Sequence, residues 1–338
     1  MKRDGTIPFN KEVYYRLIAL WVLCESVLGG IIHGLKIPVS GLLVGSSAVI
    51  CICLIAYYVP VKGVILKATV LVAIFKLLLS PHTPLPAYFA VFFQGFMGEL
   101  LFLNRGNYRI SCMLLSIVAL LESAMQRILI MTVVYGTEFW KALNDVAKNL
   151  THGSGINYSF YLGVFYLIIH LLVGIFIGWY AASLPRRSAR WNILHRDLIL
   201  PVNEQGTMVF PDTAIGKNKK ARTALLIIWI ILIILFFQSY FGIGRSLLPS
   251  HISLQIFIRS IIILLAWYFV LSPLLSKILK QWLLKTQVQS SDEMNAVLKL
   301  LPSTKYILIK SWQLTSSLKG FSRLANYCKI VFVNTLHA

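Results

Sequence analysis

"SPHTPLPAYFAVFFQGFMGELLF", Ser80 to Phe102, has the length and apolarity of a membrane span, yet it carries Gln94, Gly95, Gly98 and Glu99. About 20 apolar residues in a helix cross a hydrocarbon layer of about 30 Å, where a lipid-facing carboxylate is costly. Ala87, Ala90, Gln94, Gly95, Gly98 and Glu99 recur at three- and four-residue spacing, which puts them on one helix face. Small residues let backbones approach, so this face is expected against other helices or a cavity. The stretch reads as one helix of a bundle inside a membrane.

The rest of the chain agrees. Of 338 residues 57% are hydrophobic and 13% charged. Apolar runs predict eight spans, at 14–35, 40–59, 61–79, 84–104, 109–135, 157–184, 222–242 and 251–275. Pro38, Pro60, Pro84, Pro185, Pro249 and Pro273 fall at or near their ends, where a missing N–H costs little. A lipid-facing backbone must satisfy its own hydrogen bonds, so the expected class is an all-α polytopic membrane protein. The polar start, Met1 to Lys11, is followed by no small-residue cleavage pattern, so no signal peptide is expected to be removed.

The net charge of +20 is unevenly spread. With the N-terminus inside, the inner segments hold Lys2, Arg3, Lys11, Arg16, Lys62, Arg105 and Arg109, eight Lys/Arg within 185–222 and nine after Pro273. The outer loops hold Lys36, Lys141, Lys148 and Arg245. This bias predicts a multi-pass protein of the cell membrane with both termini cytoplasmic. Membrane lipids are expected to meet the basic segments and nucleic acid is not.

Four parts follow along the chain: six spans in 1–184, a basic connector in 185–221, two spans in 222–286, and cytoplasmic amphipathic helices in 287–338. "DEMNAVLKLL" and "STKYILIKSWQLTSSLKGFSRLANYCKIVFVNTL" read as two segments of that tail, lying on the inner face or on a partner. "TEFWKALNDVAKNL" has helical spacing and is expected along the outer surface. Cys24, Cys51, Cys53 and Cys112 lie in spans and Cys328 in the tail, which suggests neither a disulfide framework nor a cysteine metal site.

Polar residues inside the other spans extend the pattern. Ser116, Ala119, Glu122, Ser123 and Gln126 share a face beside Arg127; Glu25, Ser26, Gly29, Gly30 and His33 mark the first span; His170 lies on one ridge with Gly174 and Gly178. Lys67 and Lys76 are placed to pair with these acids. Such a set suits a substrate cavity or ion path, or else buried ion pairs that hold helices together. "SSLK" at Ser316 to Lys319 formally matches a serine–lysine nucleophile but has no supporting elements. No phosphate-binding G-x-x-x-x-G-K-[ST] is present, nor any His/Cys cluster at metal spacing. No cofactor is expected, and any ATP hydrolysis belongs to another subunit.

The six spans, the "HGLKIPVSG" link and the "VKGVILKA" and "LLSPHTPLPAYFAVFFQGFMGELLF" stretches resemble the substrate-binding S component of energy-coupling factor vitamin transporters, over roughly Tyr14 to Leu184. Where S components carry an alanine-xxx-alanine docking face, this chain has Ser26-Val-Leu-Gly-Gly30. The C-terminal part, with "LLPSTKYILIKSW" and "LKGFSRLA", is similar in outline to the end of the T component, which couples to ATPases through an Ala-Arg-Gly-like element. Its nearest match here is Lys319-Gly320 with Ser322-Arg323.

The resemblance implies a non-enzymatic subunit that binds and translocates a small water-soluble, vitamin-type substrate, energised by separate ABC-type ATPase subunits. His33, Lys76, His82, Gln126, Arg127 and Trp140 are the candidate ligand contacts. Glu25, Gln94, Glu99, Glu122 and His170 are candidates for fixing or relaying helix positions, and Lys319, Gly320 and Arg323 for coupling. The alternative is an intramembrane enzyme using Glu99, Glu122 and His170 in acid–base chemistry on a lipid or isoprenoid.

Overall fold

The computed structural model describes residues 10–28, 40–80, 83, 85–103, 107–136, 139–141, 143–144, 147–148, 157–194, 198–200, 258 and 261–336. Among these the chain is helical, with no strand: α1 (Lys11–Leu23) running into a π-helical turn (Cys24–Leu28), α2 (Ser40–Tyr58), α3 (Val64–Leu79), α4 (Leu85–Phe102), α5 (Tyr108–Tyr135), α6 (Tyr158–Leu194), a π turn (Trp267–Leu271) leading into α7 (Ser272–Gln289), α8 (Ser291–Leu314) and α9 (Gly320–Leu336). Among the described residues five helical stretches are long and apolar enough to cross a membrane: Gly41–Tyr58, Leu85–Phe102, Tyr108–Val134, Tyr158–Leu194 and Ile261–Thr286. The described residues are thus all-α, with helices fit by length and composition to cross a membrane. The helix over the expected span 61–79 has 16 residues, and the expected span 222–242 lies outside the described residues.

Three helices pass through prolines that the sequence placed at boundaries. α6 continues past Pro185 to Leu194, 37 residues in all. Ala181, Leu184 and Ser188 form a fully buried ridge, and the Ser188 hydroxyl meets both the Pro185 carbonyl and the Tyr58 hydroxyl at 3.1 Å. Packing outweighs one lost backbone bond. Around Pro273 the helix runs on to Gln289 after a π turn, a local widening of the kind that relieves the clash of a proline ring with the preceding turn. α8 passes through Pro302 as one helix where two segments were expected, because Val297, Leu301, Thr304, Ile307 and Ser311 make one buried stripe across it.

The chain divides into two compact units. The first comprises Met1–Ser123, His170–Pro211 and Trp282–Ala338, and its helices alternate in direction. At one end, here called basal, the Tyr14 hydroxyl donates to the Val64 carbonyl at 3.2 Å and Glu99 reaches the start of α3. At the other, distal end Lys76 of α3 meets Glu25 and the Ala87 carbonyl. α1 and α3 are therefore parallel, with α4 antiparallel to both. In the second unit, Ala124–Ile169 with Asp212–Gln281, Trp140 donates to Thr132 Oγ1 at 3.0 Å and Asn144 Oδ1 accepts from the Tyr158 amide at 2.8 Å.

The core of the first unit is α1. Leu17 to Leu23 are all buried, enclosed by α2, α3, α8 and α9. The tail expected on a leaflet or a partner thus packs on the first helix of its own chain. Asp292 and Glu293 lie within electrostatic reach of Tyr14 and Tyr15, and Tyr327 and Cys328 within reach of Cys24, so α8 climbs along α1 from the basal end and α9 returns.

Candidate functional site

The distal end of the first unit holds the charged centre. The α1 backbone widens into the π turn as it delivers Glu25, whose Oε2 accepts from Lys76 Nζ at 2.6 Å; both side chains are at most 5% exposed. Lys76 also donates to the Ala87 carbonyl at 3.3 Å and lies 5.8 Å from the centre of the Tyr88 ring. Three helices thereby converge on one ammonium. Beside this pair, buried Tyr88 Oη and Ser26 Oγ have no hydrogen-bond partner among the described residues, nor does Trp21 Nε1 one turn earlier on α1. Buried polar atoms normally find partners, so this end carries more hydrogen-bonding capacity than its described side chains use. Single-turn π bulges are frequent where helices serve a function.

The opening stretch resolves differently at its two ends. Tyr88, Val91, Gln94, Gly95, Gly98 and Glu99 form the buried face of α4. A Cβ on Gly95 would collide with Thr69, and one on Gly98 would come within 2.6 Å of Ile52, so the glycines admit α3 and α2. Glu99 serves α3. Its carboxylate accepts from the Gly63 amide at 2.5 Å and the Ile65 amide at 3.2 Å, at a helix start where Gly63, at φ +79°, offers no side-chain cap. Orphan amides and the positive end of the helix dipole both favour a carboxylate there. Gln94 is buried with Oε1 unpartnered among the described residues, and its amide nitrogen lies against Gly45.

The other candidates disperse. Both oxygens of Glu122 are shielded from solvent and unpartnered among the described residues. His170 is 1% exposed, and Gly174 and Gly178 on its helix press against the α5 backbone at Ile117 and Met113. Gln126 and Arg127 are half-buried in the second unit, as is Trp140. Lys67 is exposed. His33 and His82 lie outside the described residues. In the tail, Lys319 and Gly320 are exposed, with Gly320 at φ +57° where the α8–α9 turn requires a left-handed residue, while the Arg323 guanidinium stacks 3.8 Å from the Trp312 ring centre. Burial pushes the Tyr327 phenol and the Cys328 thiol up from their ordinary values.

Sequence reasoning missed Tyr88, which is one residue past Ala87 of the quoted stripe, and Asn334, whose carboxamide accepts from the Leu200 amide at 2.7 Å and donates to the Leu198 carbonyl at 2.9 Å. The first had a sequence signal in its three-residue spacing to Val91; the second had none. No group of three or more His, Cys, Asp or Glu able to hold a metal occurs among the described residues. Compared with models of known families, with curated proteins and with solved structures, the chain finds no match.

Proposed function

We propose that the chain is a substrate-binding membrane subunit that takes a small water-soluble molecule at the distal end of the first unit and passes it across the bilayer, energised by a separate ATPase, in the manner of the vitamin-transporter S components its sequence resembles. The observation that carries this reading is the buried Glu25–Lys76 pair set beside the hydroxyls of Tyr88 and Ser26, which have no partner among the described residues. An ammonium, a carboxylate and two hydroxyls within an apolar bundle are the few placed polar groups that orient a small ligand. Lys11, Arg16, Lys62, Arg109 and Arg186 gather toward the basal end and Lys310, Lys319 and Arg323 toward the distal one; taking the first, larger group as cytoplasmic puts the charged centre toward the outside. The engagement of Glu99 in capping α3 counts against the acid–base enzyme reading.

The test is to purify the full chain in detergent and identify small molecules that accompany it by mass spectrometry. A single compound retained by the wild type and lost from Lys76→Met supports the proposal. No compound with either protein, or one held equally by both, overturns it.

A further inference from the structure

The α8–α9 turn, from Trp312 to Leu324, contains Lys319, Gly320 and Arg323, the residues that the transporter resemblance offers for coupling to an ATPase. Two contacts tie it together: Trp312 packs edge-on against Tyr327, with ring centres 5.5 Å apart, and the Arg323 guanidinium stacks on the same Trp312 ring while donating to the Trp312 carbonyl at 3.4 Å. Yet its outer face is bare and apolar. Trp312, Leu314, Phe321 and Leu324 are all exposed, Phe321 to 76%. Lys310, Lys319 and Arg323 lie close to them along the chain, and no acidic residue occurs from Met294 to the end of the chain.

The depth of this turn follows from its neighbours. Tyr327 and Cys328 lie at the level of Cys24, whose thiol meets Ser47. Gly320 is seven residues before Tyr327 and Ser40, the first residue of α2, is seven before Ser47. At 1.5 Å per residue both lie about 10 Å further toward the distal end. The turn therefore sits level with the end of a candidate membrane span, where aromatic side chains and basic groups meet headgroups.

We infer that the Trp312–Leu324 turn is an anchor for anionic lipid headgroups, its aromatic and leucine side chains entering the boundary region while Lys310, Lys319 and Arg323 face phosphodiesters. Charge decides the occupant. A wholly basic rim with no acid after Glu293 repels a basic surface and gains from each anionic headgroup, by about fivefold in binding per Lys. This inference does not depend on any transport activity.

The test uses the full chain in nanodiscs of phosphatidylcholine, with and without phosphatidylglycerol, and follows amide hydrogen exchange across Leu318–Leu324. Phosphatidylglycerol should slow exchange there about fivefold or more at low salt, and high salt should reverse the effect. Lys310→Gln with Lys319→Gln should remove most of the slowing while exchange in α1 stays unchanged, and Lys319→Arg should keep it. Equal wild-type exchange in the two discs overturns the inference, whether the turn faces water or a protein partner. Slowing that survives in the double Gln variant overturns it as well.

Discussion

Separating Glu25 from Lys76 should reveal a pair whose halves are costly alone and nearly neutral together. At 2.6 Å and an effective dielectric constant of about 20, their attraction is about 6 kcal/mol. Removing both ions from water costs several kcal/mol each, so the intact pair contributes little net stability. Lys76→Met leaves a carboxylate buried to within a few per cent, and Glu25→Gln leaves a buried ammonium facing a neutral amide and the Ala87 carbonyl. Each single variant should lose about 3–5 kcal/mol. The double variant Glu25→Gln/Lys76→Met should recover most of that loss, giving a coupling of about 3 kcal/mol or more. Unfolding of the purified proteins in mixed micelles with increasing denaturing detergent measures all four corners of the cycle. Additive single effects would refute the argument, because they would mean that the two charges do not meet in the folded bundle.

Glu99→Gln should cost about 1–2 kcal/mol through the weakened cap on α3 and leave ligand retention intact; unchanged stability in the same unfolding assay, or selective loss of retention, would contradict the capping role. Gly178→Ala should destabilise more than Gly163→Ala, since a Cβ at Gly178 would come within 2.7 Å of the Met113 Cα whereas Gly163 has open space; the latter change should even gain up to about 1 kcal/mol of helix propensity. Asn334→Ala removes both bonds to the Leu198–Leu200 backbone and should speed protease cleavage near Leu200 several-fold, and an unchanged cleavage rate would show that the clamp does not restrain this segment.

The all-α membrane class was legible in composition and run length alone, because only internally bonded helices tolerate a lipid solvent. Part of the stripe on α4 was legible too: helical periodicity put Gln94, Gly95, Gly98 and Glu99 on one buried face, whereas Ala87 and Ala90, expected on it, are half-buried and Tyr88 and Val91 take the buried positions there. Helix ends were misread at Pro185, Pro273 and Pro302, since a proline costs about 3 kcal/mol locally while the burial of a ridge such as Ala181, Leu184 and Ser188 is a sum over partners distant in sequence. The same limit governs the polar residues. Sequence could mark Glu25, Lys76 and Glu99 as too costly to face lipid, but it could not distribute them between an ion pair and a helix cap, because Glu99 finds its amides 36 and 34 residues away and Lys76 its acid 51 away. Nor could it see that the basic tail, amphipathic enough to lie on a membrane, turns its apolar stripe onto α1. Periodicity fixes which face of a helix is buried; the identity of what covers it belongs to the tertiary structure, since any apolar face of matching shape satisfies the same pattern.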